Sequence, residues 1–459
     1  MNLLHIAVRN MQQRGLASAL TMFSMALGVA LVVLVMSVSW IITESFDRNS
    51  NVGYNIIVGS KGGALQLALN TVYYLSQPIE VIPYEEYLEL LPGDDARAEE
   101  IRKIGGRVAE PDRKGKFSGY TAGEGFAIPV CLGDYYGPYR VVGTKPEFFE
   151  ELRWGRAAEN EYTFSSGRNF QEYSKDNGFF EAVLGSMVAD TMGKKVGDTF
   201  KTTHGDPEGQ GHGISFKVVG ILSPTGTPND RATFINLEGF YLLEGHARAY
   251  VDKAHADEDK VFVERTATDE PERLPLEKRD LTAVLVKVGS PMFAIGLQRE
   301  INKNLHTQAI SPIDQISKML GTFVQPVRAA FLVTTVVVCI VSAISILVSI
   351  YNSMNERKRD IAVMRALGAR RDVVLFVVLL ESFLIAVGGG LIGWLAGHFI
   401  GYAFGGEVES RTGIQVGLFN TLTTQELLLI PGLVLLATLA GILPALVAYR
   451  TNVSQNLGN

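Results

Sequence analysis

The chain has 459 residues, with 42 basic against 48 acidic side chains and a formal charge of −6. A pI near 5.8 excludes the basic excess that bulk nucleic-acid binding requires. Hydrophobic residues make up 47% and glycine is frequent, yet residues 43–325 hold 31 Lys/Arg against 41 Asp/Glu while the remainder holds 11 against 7. A single soluble globule does not divide its charge in this way. The division predicts a membrane anchor that carries a large, mildly acidic, water-soluble domain.

Residues 1–16 are expected to form a cytosolic amphipathic helix leading into the first span at 17–42. That run has no charged side chain and is long enough to cross a hydrocarbon core of about 30 Å. It is too long for a signal-peptide apolar region and lacks a small-x-small cleavage site at its end, so an uncleaved anchor is expected. Residues 43–325 follow as the polar domain. Three further apolar runs, 329–351, 373–404 and 427–449, complete a predicted set of four spans. They are joined by a loop at 352–372 and a shorter one at 405–426, with a tail at 450–459. The fold class is therefore a membrane protein: four transmembrane α-helices, with a large α+β extracytoplasmic domain inserted between spans 1 and 2.

Basic residues orient the spans. Arg9 and Arg14 precede the first, Arg450 follows the fourth, and Arg357, Lys358, Arg359, Arg365, Arg370 and Arg371 crowd the 352–372 loop. The 405–426 loop has Arg411 beside Glu407 and Glu409. Both termini and the basic loop are thus expected in the cytosol, and residues 43–325 outside.

Within the outer domain, Asn55–Val58 reads as a strand and Ala64–Tyr74 as an apolar helix-like run. Ala127–Leu132 and Tyr139–Val142 read as strands flanking a turn at 133–138. Ala182–Leu184, a helical Ser186–Met192, Thr199–Thr203, Phe216–Leu222 and Ala232–Ile235 continue the alternation. Leu281–Val288 and a helix at Pro291–Leu305 close it, which implies an α+β domain. The charge-rich segment Glu244–Arg279 is expected as a surface excursion. Cys131 and Cys339 fall in regions of opposite character and form no disulfide framework.

Chemistry is sparse. No GxxxxGK[ST] phosphate loop, G-x-S-x-G elbow or H-E-x-x-H pair occurs in the chain. His204, Asp206 and His212 lie in a glycine-rich stretch that reads as a plain hairpin tip, since a metal site needs three or four converging ligands. No catalytic, cofactor or metal residue is therefore expected. In the third span Gly389, Gly393, Gly397 and Gly401 recur every four residues, a small-residue stripe suited to packing within one protomer or to a dimer seam. Glu381, inside that span, is either a bonded structural group or a relay of motion.

The stretch Asn355–Arg371, NERKRDIAVMRALGARR, strongly resembles the cytosolic loop of MacB/FtsX-type ABC transporter permeases, a family with the same order of spans and outer domain. Arg14–Ala30 is similar to that family's first span and its approach. Ala182–Ser186 with Lys195–Thr199, and Phe216–Leu222 with Thr225-Gly226-Thr227, resemble units of its outer domain. The 244–279 segment has no evident family counterpart. The resemblance implies a permease in the bacterial inner membrane, paired with a second copy or paralogue. Two cytosolic ABC ATPase subunits are implied as partners, with a periplasmic adaptor or lipoprotein as a further one.

Residue spacing supports a docking role for the loop. Ile361, Met364 and Leu367 fall on one helical face, Arg357, Arg359 and Arg365 dress the other sides, and Gly368 is placed to end the helix. An amphipathic helix of this kind fits a groove on a partner. The function expected is to transmit ATP-driven motion to the outer domain, for extraction of a lipid-linked cargo or export of a periplasmic substrate. An FtsX-like transducer that regulates a cell-wall hydrolase is the alternative, and a tethered hydrolase using His204 and His212 a third reading.

Overall fold

The computed structural model describes residues 3–412 apart from 14, 50–52, 156, 210, 248–258, 267–268 and 357–369; beyond 412 it describes 417–419, 426, 431, 432, 435, 438 and 442. The chain separates into two compact units, residues 1–43 with 323–459, and residues 44–322.

The first unit is helical. A helix at Leu3–Gln13 precedes one at Gly15–Asn49, and long helices also run over Gln325–Glu356 and Arg371–Ala403. Among the described residues, three stretches are long and apolar enough to cross a membrane: Ser18–Ile41, Pro312–Val338 and Leu375–Ala403. The run expected at 329–351 lies within the helix Gln325–Glu356, while the apolar window reaches back across a π-turn at Leu320–Val324 to Pro312. The expected span at 427–449 falls almost wholly outside the described residues. A short helix, Gly405–Thr412, occupies the start of the 405–426 loop.

The Gly15–Asn49 helix has two unlike faces, both apolar. Met25, Ala26, Val29, Ala30 and Val33 are buried, whereas Leu16, Leu20, Phe23, Leu27 and Leu31 are exposed. The exposed set recurs at three- and four-residue steps, a continuous apolar stripe that hydrocarbon, not water, would cover.

The second unit is built on an eleven-stranded mixed sheet. Its strands, numbered here in chain order, are β1 (Ile56–Ser60), β2 (Phe126–Tyr136), β3 (Tyr139–Thr144), β4 (Phe164–Gly167), β5 (Glu181–Leu184), β6 (Thr199–Phe200), β7 (Thr203–His204), β8 (Phe216–Leu222), β9 (Ala232–Asn236), β10 (Ala283–Lys287) and β11 (Thr307–Ile310). Across the sheet the order is β6-β8-β5-β9-β3-β2-β10-β1-β11, with β7 added to β2 and β4 to β8. The β5–β8 and β3–β9 pairs are parallel and the rest antiparallel.

Side chains alternate between two cores, one on each face. Ile56 and Val58 join Ile101, Val188 and Leu297 on one face; Ile57 joins Leu67, Val72 and Ile316 on the other. Helices Ala96–Ile104, Ser186–Met192 and Pro291–Ile301 thus cover one side, and Ala64–Tyr73 and Pro312–Met319 the other. With both faces covered, β1, β5 and β9 are buried along their whole length.

Two sequence expectations change. The turn expected at 133–138 is shorter, because β2 continues to Tyr136. A register shift against β3 between Leu132 and Tyr135 makes room for it. Within the expected surface excursion at 244–279, the described residues are divided: Lys260–Val263 pairs with Gly106–Ala109 and keeps Val261 and Phe262 exposed, whereas Arg273, Leu276 and Arg279 are buried. The Arg279 guanidinium donates to both Glu238 carboxylate oxygens at 2.7 Å and lies over the rings of Tyr84 and Tyr241. That pairing is what permits a charged side chain to be wholly enclosed.

Two carboxylates, Glu181 fully buried and Glu100 partly so, are expected to make the domain acid-sensitive. Glu181 accepts from both Arg168 Nη atoms, Asn177 Nδ2 and the Gln171 N–H. Glu100 accepts from Lys145 Nζ and the Tyr84 hydroxyl. Burial alone would raise both, but these donors outweigh it and hold each carboxyl at about 2, below the ordinary 4.5. A depressed folded-state value stabilises above the unfolded value and is lost as pH falls through the folded one. The unfolding midpoint of residues 44–322, followed by tryptophan fluorescence, is therefore expected to fall between about pH 4.5 and 2. Glu181→Gln should lower the midpoint at neutral pH and flatten that fall; a Glu181→Gln profile parallel to wild type would contradict the assignment.

Candidate functional site

The glycine stripe of the Arg371–Ala403 helix faces the Gly15–Asn49 helix of the same chain. A Cβ at Gly389 would lie 3.0 Å from the Met22 carbonyl oxygen, one at Gly393 2.3 Å from that of Ala26, and one at Gly397 2.8 Å from Val33 Cβ. At Gly401 the nearest atom, Leu34 Cδ2, is 4.0 Å away, so the close approach fades toward that end. Hydrogen in place of a side chain lets the two backbones meet. Glu381 and the adjoining Ser382 are buried on the same helix.

One enclosed polar pair also lies in this unit. His398 Nε2 lies 3.3 Å from Glu426 Oε2, both side chains being enclosed, while Trp394 stacks on Phe419 beside them. The loop residues singled out for docking, Arg357, Arg359, Ile361, Met364, Arg365, Leu367 and Gly368, lie outside the described residues.

The other cluster is in the sheet unit. The extra residue that the register shift inserts in β2 falls beside Asp134, a place where a bulge re-aims side chains. β7 then pairs with β2 so that His204 stands opposite Asp134. The chain turns through the glycine-rich loop and returns with the His212 N–H donating to the Thr202 carbonyl. His246, just past the helix Leu237–Tyr241, packs its ring on Phe240 and completes the group.

His212 Nε2 is 3.1 Å from Asp134 Oδ2; His246 Nε2 and His204 Nδ1 are 3.2 and 3.4 Å from Oδ1. Thr202, fully buried, donates its hydroxyl to Oδ2 at 3.1 Å. Burial, partly opposed by Asp134, lowers the His212 imidazole below the ordinary histidine value. Asp206 is not part of the group: its Oδ1 accepts from the Glu208 N–H in a local turn. The sequence reading held two of the four members. Asp134 and His246 escaped it because only sheet pairing and the return of the 244–279 segment bring them in.

The chain thus joins a large mixed-sheet domain to long apolar helices, two of which pack through a glycine stripe. Residues 18–277 match the MacB-like periplasmic core domain, and residues 332–453 the C-terminal domain of FtsX-like permeases. The first match alone spans more than half of the chain, and the chain belongs to the MacB/FtsX-type ABC transporter permeases. It is similar to the macrolide export ATP-binding/permease protein MacB of Rhodopirellula baltica, 23% identical over an alignment of 435 residues that covers 90% of this chain and 57% of that protein. An uncharacterized ABC transporter permease of Methanocaldococcus jannaschii is 21% identical over 303 residues, 63% of this chain and 65% of that one. The MacB protein of Nitrosomonas europaea is 25% identical over 213 residues, 46% of this chain and 29% of the relative. The chain thus spans little more than half the length of the first of these relatives.

Proposed function

We propose that this chain is the membrane subunit through which ATP hydrolysis on a cytosolic ABC ATPase moves an outer domain. Two ATPase subunits would serve a complex of two such chains in the inner membrane, with no ATP chemistry on this chain. The observation that carries the reading is the adjacency, in one chain, of the core-domain match and the permease-domain match, with the loop 352–372 inside the second. The close-packed glycine stripe supports it. A pair of helices joined backbone to backbone can pass on a displacement, whereas a loosely packed pair would absorb it.

The described helices present apolar faces, which fits motion of the outer domain better than passage of a polar solute along them. Extraction of a lipid-linked cargo, or export of a substrate that enters from the outer side, follows from that reading. Force would enter through the Ile361/Met364/Leu367 face and its flanking arginines.

Orientation is the part most readily tested. Cysteines placed singly at the exposed Ser166 and at Ser353 should react with a membrane-impermeant maleimide from opposite sides of the membrane. In intact spheroplasts, Ser166→Cys is expected to label and Ser353→Cys to label only after permeabilisation. Labelling of both before permeabilisation would overturn the topology.

A further inference from the structure

We propose that Asp134, His204, His212 and His246 form a binding site for one divalent transition-metal ion of the zinc class, a closed site that ties three segments of the outer domain together. This inference rests on the geometry of residues 44–322 alone and does not depend on the transport reading.

One ligand atom from each of the four residues can be chosen so that all lie within 4.8 Å of one another. The His246 Nε2 atom is 3.4 Å from His204 Nδ1 and 3.4 Å from His212 Nε2. With His246 Nε2 and His204 Nδ1 at 3.2 and 3.4 Å from Asp134 Oδ1, four of the six edges among Oδ1 and the three ring nitrogens fall in one narrow range. A tetrahedron with metal–ligand bonds of about 2.0–2.1 Å has edges of about 3.3–3.4 Å. The spacing is that of atoms facing a common centre.

Protons alone satisfy this arrangement poorly. His246 Nε2 faces two imidazole nitrogens and a carboxylate oxygen at once, and a single N–H can point at only one of them. Asp134 is fully buried, yet its Oδ1 accepts no hydrogen bond although two ring nitrogens are near. A buried carboxylate oxygen left so is costly. A cation at the centre would accept the lone pairs of all three imidazoles and of Oδ1 together. Thr202, holding Oδ2, would fix the carboxylate as outer partners of metal ligands do.

Three nitrogen donors and one oxygen suit zinc and its neighbours better than calcium or magnesium, which take oxygen ligands. Four protein ligands leave no open position, so the site is assigned a structural rather than a catalytic role. The segments it joins are the bulge of β2, the glycine-rich loop after β7, and the start of the 244–279 segment.

The test uses tag-free full-length chain in detergent, stripped with EDTA and titrated with Zn²⁺, with metal content read by mass spectrometry after gel filtration. One zinc per chain is expected, together with a raised unfolding midpoint. Co²⁺ in its place should give the intense visible bands of a tetrahedral site. His246→Ala and Asp134→Asn are expected to lose stoichiometric binding, and Thr202→Val to weaken it by about 10–100-fold. His306→Ala, which removes an exposed histidine outside the cluster, should bind as wild type does. Should His246→Ala fail to fold, the wild-type stoichiometry and cobalt spectrum still decide. Absence of the cobalt bands, or wild-type metal no greater than that of a folded His246→Ala, would overturn the proposal.

Discussion

Replacing Leu367 by aspartate is expected to abolish capture of the ATPase while leaving membrane insertion and the outer domain intact. The proposed docking face consists of Ile361, Met364 and Leu367, whose three-residue spacing would bring them to one side if the segment is helical. A large aliphatic side chain enclosed at such a contact contributes roughly 1.5–3 kcal/mol. Loss of one would weaken association by at least about tenfold, and a carboxylate in its place adds a desolvation cost. Met364→Asp should behave alike. Arg365→Glu is expected to weaken capture more at low than at high salt, since an exposed charge contact is screened by ions. The measurement is co-purification of this chain with its co-expressed ATPase from solubilised membranes. Full retention of the ATPase by both aspartate variants would assign the loop's charges to lipid headgroups instead.

Gly393→Leu is expected to force the two glycine-packed helices apart. The position is the tightest of the stripe: a Cβ there would come within 2.3 Å of the Ala26 carbonyl oxygen and 2.8 Å of Val29 Cβ. Neither the backbone of one helix nor the branched carbon of a buried valine can step aside as a flexible side chain could. Overpacking of a well-filled contact costs typically about 1–3 kcal/mol, and the remaining leucine atoms extend the clash. Ile392 provides the control on the same helix, since its side chain is exposed. Thermal stability and gel-filtration profile in detergent should therefore deteriorate for Gly393→Leu and hold for Ile392→Phe. Equal behaviour of the two would mean that the stripe is not a helix contact.

What could be read from the sequence follows from the range over which each signal acts. An uncharged run such as 17–42 announces a long apolar helix because hydrophobicity accumulates locally, and the four-residue glycine period is a property of one helix. Most strands of the outer domain were legible for the same reason: Phe216–Leu222 is an apolar β-branched run between turns. The turn at 133–138 was misplaced because a bulge depends on the register of the neighbouring strand, which the Gly-Asp-Tyr-Tyr-Gly-Pro stretch does not encode by itself. Composition misled at 244–279. Arg273 and Arg279 are buried there because Glu238, on a separate helix, pairs with both, and tyrosine rings flank the Arg279 guanidinium. The histidine cluster combines both situations. His204 and His212 are close in sequence and were noticed, whereas Asp134 and His246 reach them only through the pairing of β7 with β2 and the path of the chain after Tyr241.

The measurement closest to the central claim is hydrogen–deuterium exchange of residues 44–322 in the assembled complex. The chain and its ATPase would be reconstituted in nanodiscs and compared with bound ADP and with a non-hydrolysable ATP analogue. The account predicts a nucleotide-dependent change in outer-domain exchange in the wild type, and loss of that change in Leu367→Asp. Identical outer-domain exchange in both nucleotide states, with the ATPase bound and turning over, would contradict transmission of motion through this chain.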